Sequence, residues 1–363
     1  MTPSAFNFEP NLARAATIPA SWYTDPARLE LERKTVFSRT WQFAGSLDAL
    51  QSPDSYTTVE VCGFPLVLTR DSQGTIRAFY NVCRHRAGVV ANGSAQRKTL
   101  QCQYHGWVYG LDGCLKNTPE FEGVDNFDKN EYGLVPVRVE TWGGLVFVNI
   151  SGSAPPLIEY LGHIVEETRG LELGAGRLIE RREYFVYANW KIYVDNYLEG
   201  YHLPIAHPEL YREIDYDQYR VDTFLYHSSQ HAPIRPTIGD NAANRVYGSA
   251  GNTNRPAFFY WIFPNFMLNL YPDNIQLNVV SPLAYDKTRI VFEWYARDSD
   301  KTDVANAIRN SIDFSERVQQ EDTQLCEDVW RNLQTGVYTQ GRYSVKRENG
   351  VHHFHGLLAE FSE

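Results

Sequence analysis

Basic side chains are in short supply in this chain. Lysine and arginine together number 34, against 44 aspartates and glutamates, which gives a formal net charge of -10. Phosphate binding normally calls for a surplus of basic residues on at least one face of a protein. The charge balance therefore argues against nucleic acid as a partner.

Long apolar runs are also missing. No stretch approaches the ~18 uninterrupted apolar residues of a membrane-spanning helix, and the chain does not start with a basic segment followed by an apolar one. We therefore expect a cytoplasmic protein with no membrane partner.

Cysteine is sparse, with five residues in 363. An odd, widely spaced set is unlike the disulfide framework of a secreted domain, so metal ligation is the first hypothesis to test. The five are Cys62, Cys83, Cys102, Cys114 and Cys326. Cys114 lies in a turn-like segment without an obvious partner, and we exclude it as a ligand.

The length predicts two domains, and the pattern of elements predicts an α+β fold. Short β-rich segments separated by turn residues run from Tyr56 to Ile150, and a break rich in small residues and proline follows at 151–156. Beyond it the pattern predicts a helix over 156–168, a strand over 182–187 and a helix from Trp190. Strands over 257–283 and 289–296 and a long helix over 302–333 complete the chain.

The sharpest motif pairs cysteine with histidine twice. Cys83 and His85 form a C-x-H pair, and Cys102 and His105 form a C-x-x-H pair sixteen residues further along. Two thiolates and two imidazoles can close a zinc site or hold a [2Fe–2S] cluster with two cysteines on one iron and two histidines on the other. Zinc fingers typically pair like with like, so the mixed pairs favour the cluster, which is the Rieske type. Such a cluster relays electrons.

A second group of metal-binding residues follows Trp190. His202 and His207 lie five residues apart near the end of the predicted helix, where Pro204 disturbs the backbone and can tilt the two rings toward one point. Glu199 is one helical turn before His202, close enough to accept a hydrogen bond from the nitrogen of that ring that does not bind metal.

A third ligand is needed, because non-haem Fe(II) oxygenases use two histidines and one carboxylate. In the late helix, Asp322 falls on a mostly apolar stripe with Val318, Leu325 and Val329, while Glu321 falls on the polar side. An ionised aspartate on an apolar face is costly unless it is paired or bound to metal. Asp322 is therefore the candidate ligand, and a buried salt bridge or a helix cap is the alternative.

Together these segments resemble the α-subunit of the Rieske non-haem iron oxygenases, over most of the chain from about Thr40 to the segment Phe354-His-Gly. The glutamate at 199, where many ring-hydroxylating members carry aspartate, resembles the branch that acts on choline, carnitine and other quaternary amines. So does the block that runs from Asn189-Trp-Lys to Asp195-Asn-Tyr-Leu-Glu.

The resemblance implies a Rieske antiparallel β-domain over 40–150. It also implies a mononuclear iron domain over 1–39 and 151–363, with a helix-grip-like antiparallel sheet and helices. Catalysis would rest on Glu199, His202, His207 and Asp322. The cluster would be held by Cys83, His85, Cys102 and His105, and the Fe(II) by His202, His207 and Asp322.

The resemblance also implies a homotrimer in which an electron passes from His105 of one chain through Glu199 of its neighbour to His202. No nicotinamide or flavin motif is visible, so NAD(P)H would contribute only indirectly, through a separate reductase or ferredoxin. The implied chemistry is hydroxylation of a small organic molecule by O₂, most simply as a monooxygenase that demethylates a quaternary amine.

The alternatives are a dioxygenase that hydroxylates aromatic rings and an O-demethylase of an aromatic acid. A Rieske electron carrier and a zinc-binding structural protein are rivals from other classes. We expect the walls of the substrate pocket to come from residues 258–266, from residues 268–271 and from the helix that holds the histidines. In the first two segments, Tyr260, Trp261 and Tyr271 could cage a trimethylammonium group. The same walls would suit a planar arene.

Overall fold

The structure is a computed structural model that describes residues 6–169, 173, 177–233, 235, 257–271, 274–296 and 302–362. The described residues divide into two compact units. The first, here the β unit, contains Phe37–Tyr160 and Leu173. The second, the α+β unit, contains the described residues before Phe37 and after Tyr160, apart from Leu173.

The β unit is built from antiparallel sheets, as the sequence predicts. A seven-stranded sheet has the order β1-β10-β9-β4-β3-β2-β5, and a three-stranded sheet has the order β6-β7-β8. The strands are β1 Gln42–Ser46, β2 Ser55–Val61, β3 Phe64–Arg70, β4 Ile76–Tyr80, β5 Ser94–Gln96, β6 Thr99–Gln101, β7 Val108–Gly110, β8 Leu115–Asn117, β9 Pro136–Trp142 and β10 Leu145–Asn149.

One apolar cluster of the β unit surrounds the two cysteine-histidine motifs. Cys83 and Cys102 are buried in it together with Trp107, Tyr109 and Phe79. The motifs therefore lie against a rigid core, although each belongs to a loop.

The α+β unit is centred on a second seven-stranded antiparallel sheet, of order β11-β17-β16-β15-β14-β13-β12. Its strands are β11 Arg177–Val186, β12 Arg220–Thr223, β13 His227–Ala232, β14 Ala257–Ile262, β15 Phe266–Leu270, β16 Ile275–Ala284 and β17 Lys287–Ala296. The strand predicted over 182–187 is confirmed as β11, which begins five residues earlier and ends one residue earlier. The segment predicted over 257–283 forms three strands, β14, β15 and β16. The strand predicted over 289–296 is confirmed as β17.

The helices are α1 Ala20–Thr24, α2 Pro26–Glu32, α3 Leu157–Leu161, α4 Ile164–Glu167, α5 Trp190–Tyr197, α6 Leu203–Ala206, α7 Pro208–Glu213, α8 Thr302–Leu333 and α9 Asn349–Phe361. The long helix predicted over 302–333 is confirmed as α8. The single helix predicted over 156–168 is wrong, because Gly162 adopts a φ of 57° and separates α3 from α4. None of the helices in the described parts of the chain combines the length and apolarity needed to cross a membrane.

A buried ion pair fastens the N-terminal helices to α5. Lys191 and Glu32 are fully buried, and the Lys191 Nζ lies 2.7 Å from the Glu32 Oε1. The indole of Trp190 donates to Glu32 Oε2 at 2.8 Å, and Arg28 lies 3.3 Å from Glu32 Oε1. These contacts hold the start of α5, the helix that leads into the histidine segment.

Candidate metal centres

The two cysteine-histidine loops share one backbone design. The N–H of Cys83 donates to the carbonyl of Gly88 at 2.8 Å, and the N–H of Ala87 donates back to the carbonyl of Cys83 at 3.0 Å. The second loop repeats both bonds, from Cys102 to the carbonyl of Trp107 at 2.9 Å and from Gly106 to the carbonyl of Cys102 at 3.0 Å. The fifth residue of each loop has a positive φ. Two matched loops thus present one thiol and one imidazole each.

The loops bring the two thiols next to each other and the two imidazole rings next to each other. The thiols of Cys83 and Cys102 are both buried, and burial above all raises the pKa of the Cys83 thiol, with the neighbouring Cys102 thiol adding to the effect. The rings of His85 and His105 lie 4.6 Å apart between centroids. Two neighbouring buried thiols favour the thiolate form only when a metal is bound.

The surroundings of the loops fit a cluster. The Nδ1 atom of His85 is buried and has no hydrogen-bond partner in the described parts of the chain, which is the condition of a nitrogen that awaits a metal. The His85 ring stacks on Trp107 with an interplanar angle of 9°. A β-carbon added at Gly88 would lie 2.8 Å from Cys102 Sγ, so this position leaves room beside the sulfur that a side chain would fill.

Sequence reasoning missed Tyr109, which contacts the first loop directly. Its hydroxyl accepts from the backbone N–H of Arg84 at 3.0 Å and lies 3.2 Å from Cys83 Sγ, where it can donate to a thiolate. Hydrogen bonds to ligand sulfurs are one means by which proteins set a cluster potential. The only sequence signal is a tyrosine in the strand after the second loop, which by itself reads as ordinary core.

In the α+β unit, the two histidines lie in a bent segment and not on the predicted helix. The helix α5 ends at Tyr197, His202 precedes α6, and His207 separates α6 from α7. The prediction that Pro204 tilts the rings by disturbing a helix is therefore wrong. Pro204 lies in the first turn of α6, where its missing N–H costs nothing.

Three predicted ligands, separated by up to 120 positions in the sequence, lie close together in the structure. One ligand atom from each of His202, His207 and Asp322 lies within 4.8 Å of the other two. The Oδ1 atom of Asp322 is 2.9 Å from His207 Nε2 and 3.8 Å from His202 Nε2. Two imidazoles and one carboxylate around one point form the donor set of a mononuclear non-haem iron site, so the residues fit that group.

Each histidine is held from behind by a carboxylate. The Oε1 atom of Glu199 lies 2.6 Å from His202 Nδ1, and the Oε2 atom of Glu321 lies 2.6 Å from His207 Nδ1. An Nδ1–H that donates to a carboxylate leaves Nε2 as a lone-pair donor for a metal. Burial lowers the pKa of His207, but Asp322 and Glu321 outweigh burial and the pKa is raised.

Glu321 corrects the prediction for α8. The sequence placed it on the polar face, and 45% of its side chain is exposed, yet it binds His207. Asp322 does lie on the inner side, with 13% exposed, whereas Leu325 and Val329, which were expected on the same apolar stripe, are 37% and 47% exposed. Helical periodicity thus selected the candidate ligand Asp322 but missed the role of the carboxylate beside it.

A cavity of about 130 Å³ opens beside the three ligands. Its described walls contribute six aromatic rings, Tyr193, Tyr197, Tyr219, Phe259, Tyr271 and Phe292. They also contribute six side-chain amides, Asn196, Gln230, Asn269, Gln276, Asn278 and Gln319. Of the aromatic cage predicted from the sequence, only Tyr271 lines this cavity.

The other two members of the predicted cage belong to the core. Tyr260 donates to Glu167 Oε2 at 2.7 Å, and the Trp261 indole donates to the carbonyl of Pro264 at 3.1 Å. Both side chains are buried on β14, and neither lines the cavity that Phe259 lines. Tyr260 points to the opposite face from Phe259, because successive side chains of a strand alternate between faces. Trp261 shares the face of Phe259 but packs against Phe354, with the ring centroids 5.3 Å apart.

Comparison with known proteins gives the family. Residues 40–128 match the Rieske [2Fe-2S] domain, and residues 174–363, just over half of the chain, match the ring-hydroxylating α-subunit catalytic domain. The chain therefore belongs to the Rieske oxygenase α-subunits. It is an oxidoreductase that uses O₂, and the family carries a Rieske cluster and a mononuclear iron.

The relatives are similar over nearly their full length. Choline monooxygenase of Arabidopsis thaliana, a chloroplastic protein, is 36% identical over 97% of this chain and 84% of its own length. The carnitine monooxygenase oxygenase subunit of Escherichia coli K12 is 32% identical, over 98% of this chain and 96% of its own. The chain is also similar to a solved quaternary ammonium Rieske monooxygenase, for which inter-subunit electron transfer is described. The two are 27% identical with a TM-score of 0.86, and the match covers 99% of this chain and 100% of the other.

Proposed function

We propose that this chain is the terminal oxygenase of a monooxygenase that hydroxylates an N-methyl group of a quaternary amine. The observation that carries the proposal is the convergence of His202, His207 and Asp322 beside a cavity walled by aromatic rings. Aromatic faces attract quaternary ammonium cations. The relatives that act on choline and carnitine support the same substrate class.

We assign His202, His207 and Asp322 as the iron ligands. A ferrous ion held there supplies the reductive activation of O₂. Glu199 and Glu321 keep both rings in the tautomer that offers Nε2. The aromatic walls exclude water and orient the methyl group, so the chain contributes geometry and timing.

The reaction balances with two electrons. One substrate molecule, one O₂, two electrons and two protons give a hydroxymethyl amine and one water. The hydroxymethyl group on the ammonium nitrogen is unstable and leaves as formaldehyde with release of one proton, and a tertiary amine remains, so the net outcome is demethylation. The electrons come from NAD(P)H through a separate reductase, either directly or by way of a ferredoxin.

We assign Cys83, His85, Cys102 and His105 as the cluster ligands. His105 is exposed at the surface of the β unit, and its ring lies against the exposed Tyr104 at 3.7 Å between centroids. An exposed ligand shortens the distance that an electron must travel between the cluster and the protein surface. The buried ligands Cys83 and Cys102 anchor the opposite side of the cluster in the core.

We further propose a homotrimer in which Glu199 carries the electron path between chains. Glu199 and His202 line not only the small cavity but also a second one of about 530 Å³. Apolar side chains are exposed near it, at Leu325, Val329 and Tyr338. A neighbouring β unit that covers this face would bring its His105 to Glu199, in line with the inter-subunit transfer described for the solved relative.

The test measures oxygen uptake and formaldehyde together. The reduced, iron-loaded protein is given choline, carnitine, methoxybenzoates and benzoate in turn. The proposal expects formaldehyde equal to the oxygen consumed with a quaternary amine. Uptake with benzoate and no formaldehyde would instead establish ring hydroxylation, and formaldehyde from methoxybenzoate alone would establish an O-demethylase. The domain boundaries, 40–150 for the Rieske domain and 1–39 with 151–363 for the iron domain, stay predictions, and so does the cytoplasmic location.

A further inference from the structure

The sheet of the α+β unit turns amide side chains toward the small cavity. Four residues that are successive cross-strand neighbours on β13, β14, β15 and β16 line it, namely Gln230, Phe259, Asn269 and Gln276. Asn278 lies two residues beyond Gln276 on the same face of β16 and lines it as well. A buried sheet face normally presents apolar side chains, because a buried amide must replace the hydrogen bonds that it made with water. The amides on this face therefore need a physical explanation.

Two glutamines of the cavity use both ends of their amide within the protein. Gln230 donates to the backbone carbonyl of Tyr197 at 2.8 Å and accepts from the hydroxyl of Tyr219. Gln319, on α8, is engaged in the same way at its oxygen and at its nitrogen. The hydrogen bonds of these two amides are made inside the chain, so both residues build the wall.

Two asparagines differ, because only the oxygen of their amide is engaged. The hydroxyl of Tyr197 donates to Asn269 Oδ1 at 2.6 Å, and Gln276 Nε2 donates to Asn278 Oδ1 at 2.9 Å. Neither Nδ2 group has a hydrogen-bond partner within the described ranges of the chain. The two asparagines are only 4% and 3% exposed. Two nearly buried donor groups therefore lie at the cavity without an acceptor.

The two donor groups are close enough to bind one ligand. Asn269 pairs with Gln276 across β15 and β16, and Asn278 is the next residue on that face of β16. The two asparagines are therefore diagonal neighbours, which lie about 7–8 Å apart in an antiparallel pair. An oxygen-bearing group placed between them can accept from both.

A cation can be held beside these donors. Phe259 is the cross-strand neighbour of Asn269. The rings of Phe259 and Tyr271 lie 5.8 Å apart between centroids at an interplanar angle of 80°. Ring faces attract a quaternary ammonium group, whereas amide N–H groups bind an acceptor oxygen. The cavity thus offers one place for the cation and another for an oxygen atom of its tail.

We propose that Asn269 and Asn278 are specificity-determining residues, which donate to an oxygen atom in the tail of the substrate. The inference rests on the proposed function and adds the residues that recognise the end of the substrate remote from the N-methyl group. A hydroxyl, a carbonyl and a carboxylate all present lone pairs to an N–H donor. A cation that lacks such an oxygen leaves both donors buried and unpaired, and this penalty is the source of the selection.

Matched pairs of ligands test the proposal in the wild-type protein. Calorimetry of the reduced, iron-loaded chain under nitrogen compares choline with ethyltrimethylammonium, which lacks only the hydroxyl. Carnitine is compared with butyltrimethylammonium, which lacks both the hydroxyl and the carboxylate. We expect the oxygen-bearing member of at least one pair to bind about tenfold or more tightly than its oxygen-free counterpart. Equal binding within both pairs would overturn the inference.

Three variants assign the preference to particular residues. Asn269→Leu and Asn278→Leu remove the donors at similar side-chain volume, so the preference should fall to about threefold or less while the oxygen-free cation still binds. Gln319→Met is the matched control, because both ends of that amide are engaged within the protein, and it should keep the wild-type preference. An unchanged preference in both asparagine variants, or its loss in the control, would contradict the proposal.

The outcomes separate this inference from the proposed function. Equal binding within the ligand pairs, together with formaldehyde on turnover, would leave the function intact and remove the role of the two asparagines. If no quaternary cation binds and benzoate does, the proposed function fails and the inference fails with it. If the asparagine variants do not fold, the ligand pairs decide in the wild-type protein alone.

Discussion

Glu199 binds His202 through both carboxylate oxygens. Its Oε1 lies 2.6 Å from the Nδ1 of the ring, and its Oε2 accepts from the backbone N–H of His202 at 3.2 Å. The carboxylate is therefore locked to the backbone and to the ring at once. Its position lines both cavities of the α+β unit. A rigid link of this kind suits an electron path that ends on His202.

The first prediction concerns this link. Glu199→Gln removes the charge and keeps the size, so the cluster should still be reducible and iron should still bind, while coupled turnover falls by about 10²-fold or more. Product formed per oxygen consumed is the measurement. Asp217→Asn, an exposed change on the same unit, is the control and should keep wild-type coupling. Normal coupling in Glu199→Gln would remove Glu199 from the path.

The second prediction concerns Glu321, which the sequence did not single out. Glu321→Gln weakens the support of His207, so the affinity for iron should fall by about 10- to 100-fold. Competition with a chelator, followed by metal analysis, measures this without turnover. Gln324→Glu, one helical turn further along on the exposed face, should leave the affinity unchanged. If Glu321→Gln binds iron as tightly as wild type, the contact between Glu321 and His207 does not contribute to the affinity for iron.

A third prediction tests the room beside the cluster. Gly88→Ala places a β-carbon 2.8 Å from Cys102 Sγ, closer than packed atoms approach, so cluster occupancy should drop. Visible absorbance and acid-labile sulfide report occupancy, and Val89→Ala at the exposed neighbouring residue should retain the full cluster. A fully loaded Gly88→Ala protein would show that Cys102 can move aside without loss.

The buried pair of Lys191 and Glu32 leads to a fourth prediction. Lys191→Met leaves Glu32 with only Arg28 and the Trp190 indole inside the core, and the free energy of unfolding should fall by roughly 3 kcal/mol. Chemical denaturation measures it. Lys346→Met, at an exposed lysine, should change stability by less than about 0.5 kcal/mol. Equal stability of the two variants would mean that the pair contributes little.

A fifth prediction follows from a buried histidine outside the iron site. Burial above all, and then His163 and His353, lower the pKa of His227 to about 3. The unfolded chain, with an ordinary histidine pKa near about 6.5, binds this proton more readily than the folded chain. The free energy of unfolding is therefore unaffected by this histidine above about pH 6.5, and it declines as the pH falls from there toward 3.

His227→Gln should reduce the slope of the free energy of unfolding against pH, by up to about 1.4 kcal/mol per pH unit between about pH 3 and 6.5. Denaturation at several pH values compares the variant with wild type. Parallel curves would show that His227 takes up its proton equally in the folded state.

Metal-binding motifs and helical periodicity predicted more of this protein than local backbone reasoning did. The spacing of Cys83, His85, Cys102 and His105 carries a chemical pattern that few other folds use, and the structure brings the two thiols together and the two rings together. Asp322 could be selected because a carboxylate on a buried helix face needs a partner. The long helix α8 and the strands followed from repeats of 3.6 and 2 residues.

The rest depended on contacts between distant segments. Glu321 appears as a surface residue on a helical wheel, and only the bend between α6 and α7 brings His207 to it. Phe259 and Trp261 share one face of β14, yet Phe259 lines the cavity whereas Trp261 packs against Phe354, and strand alternation alone does not distinguish the two. Aromatic type therefore predicted a cage but not its members.

The most direct test of the account is a single turnover. The fully reduced, substrate-loaded enzyme is mixed with O₂, and the absorbance of the cluster is followed together with formaldehyde. The account predicts that cluster oxidation and product formation share one rate, with about one formaldehyde per cluster oxidised, because one electron comes from each metal site. Product that appears while the cluster stays reduced, or cluster oxidation without product, would contradict it.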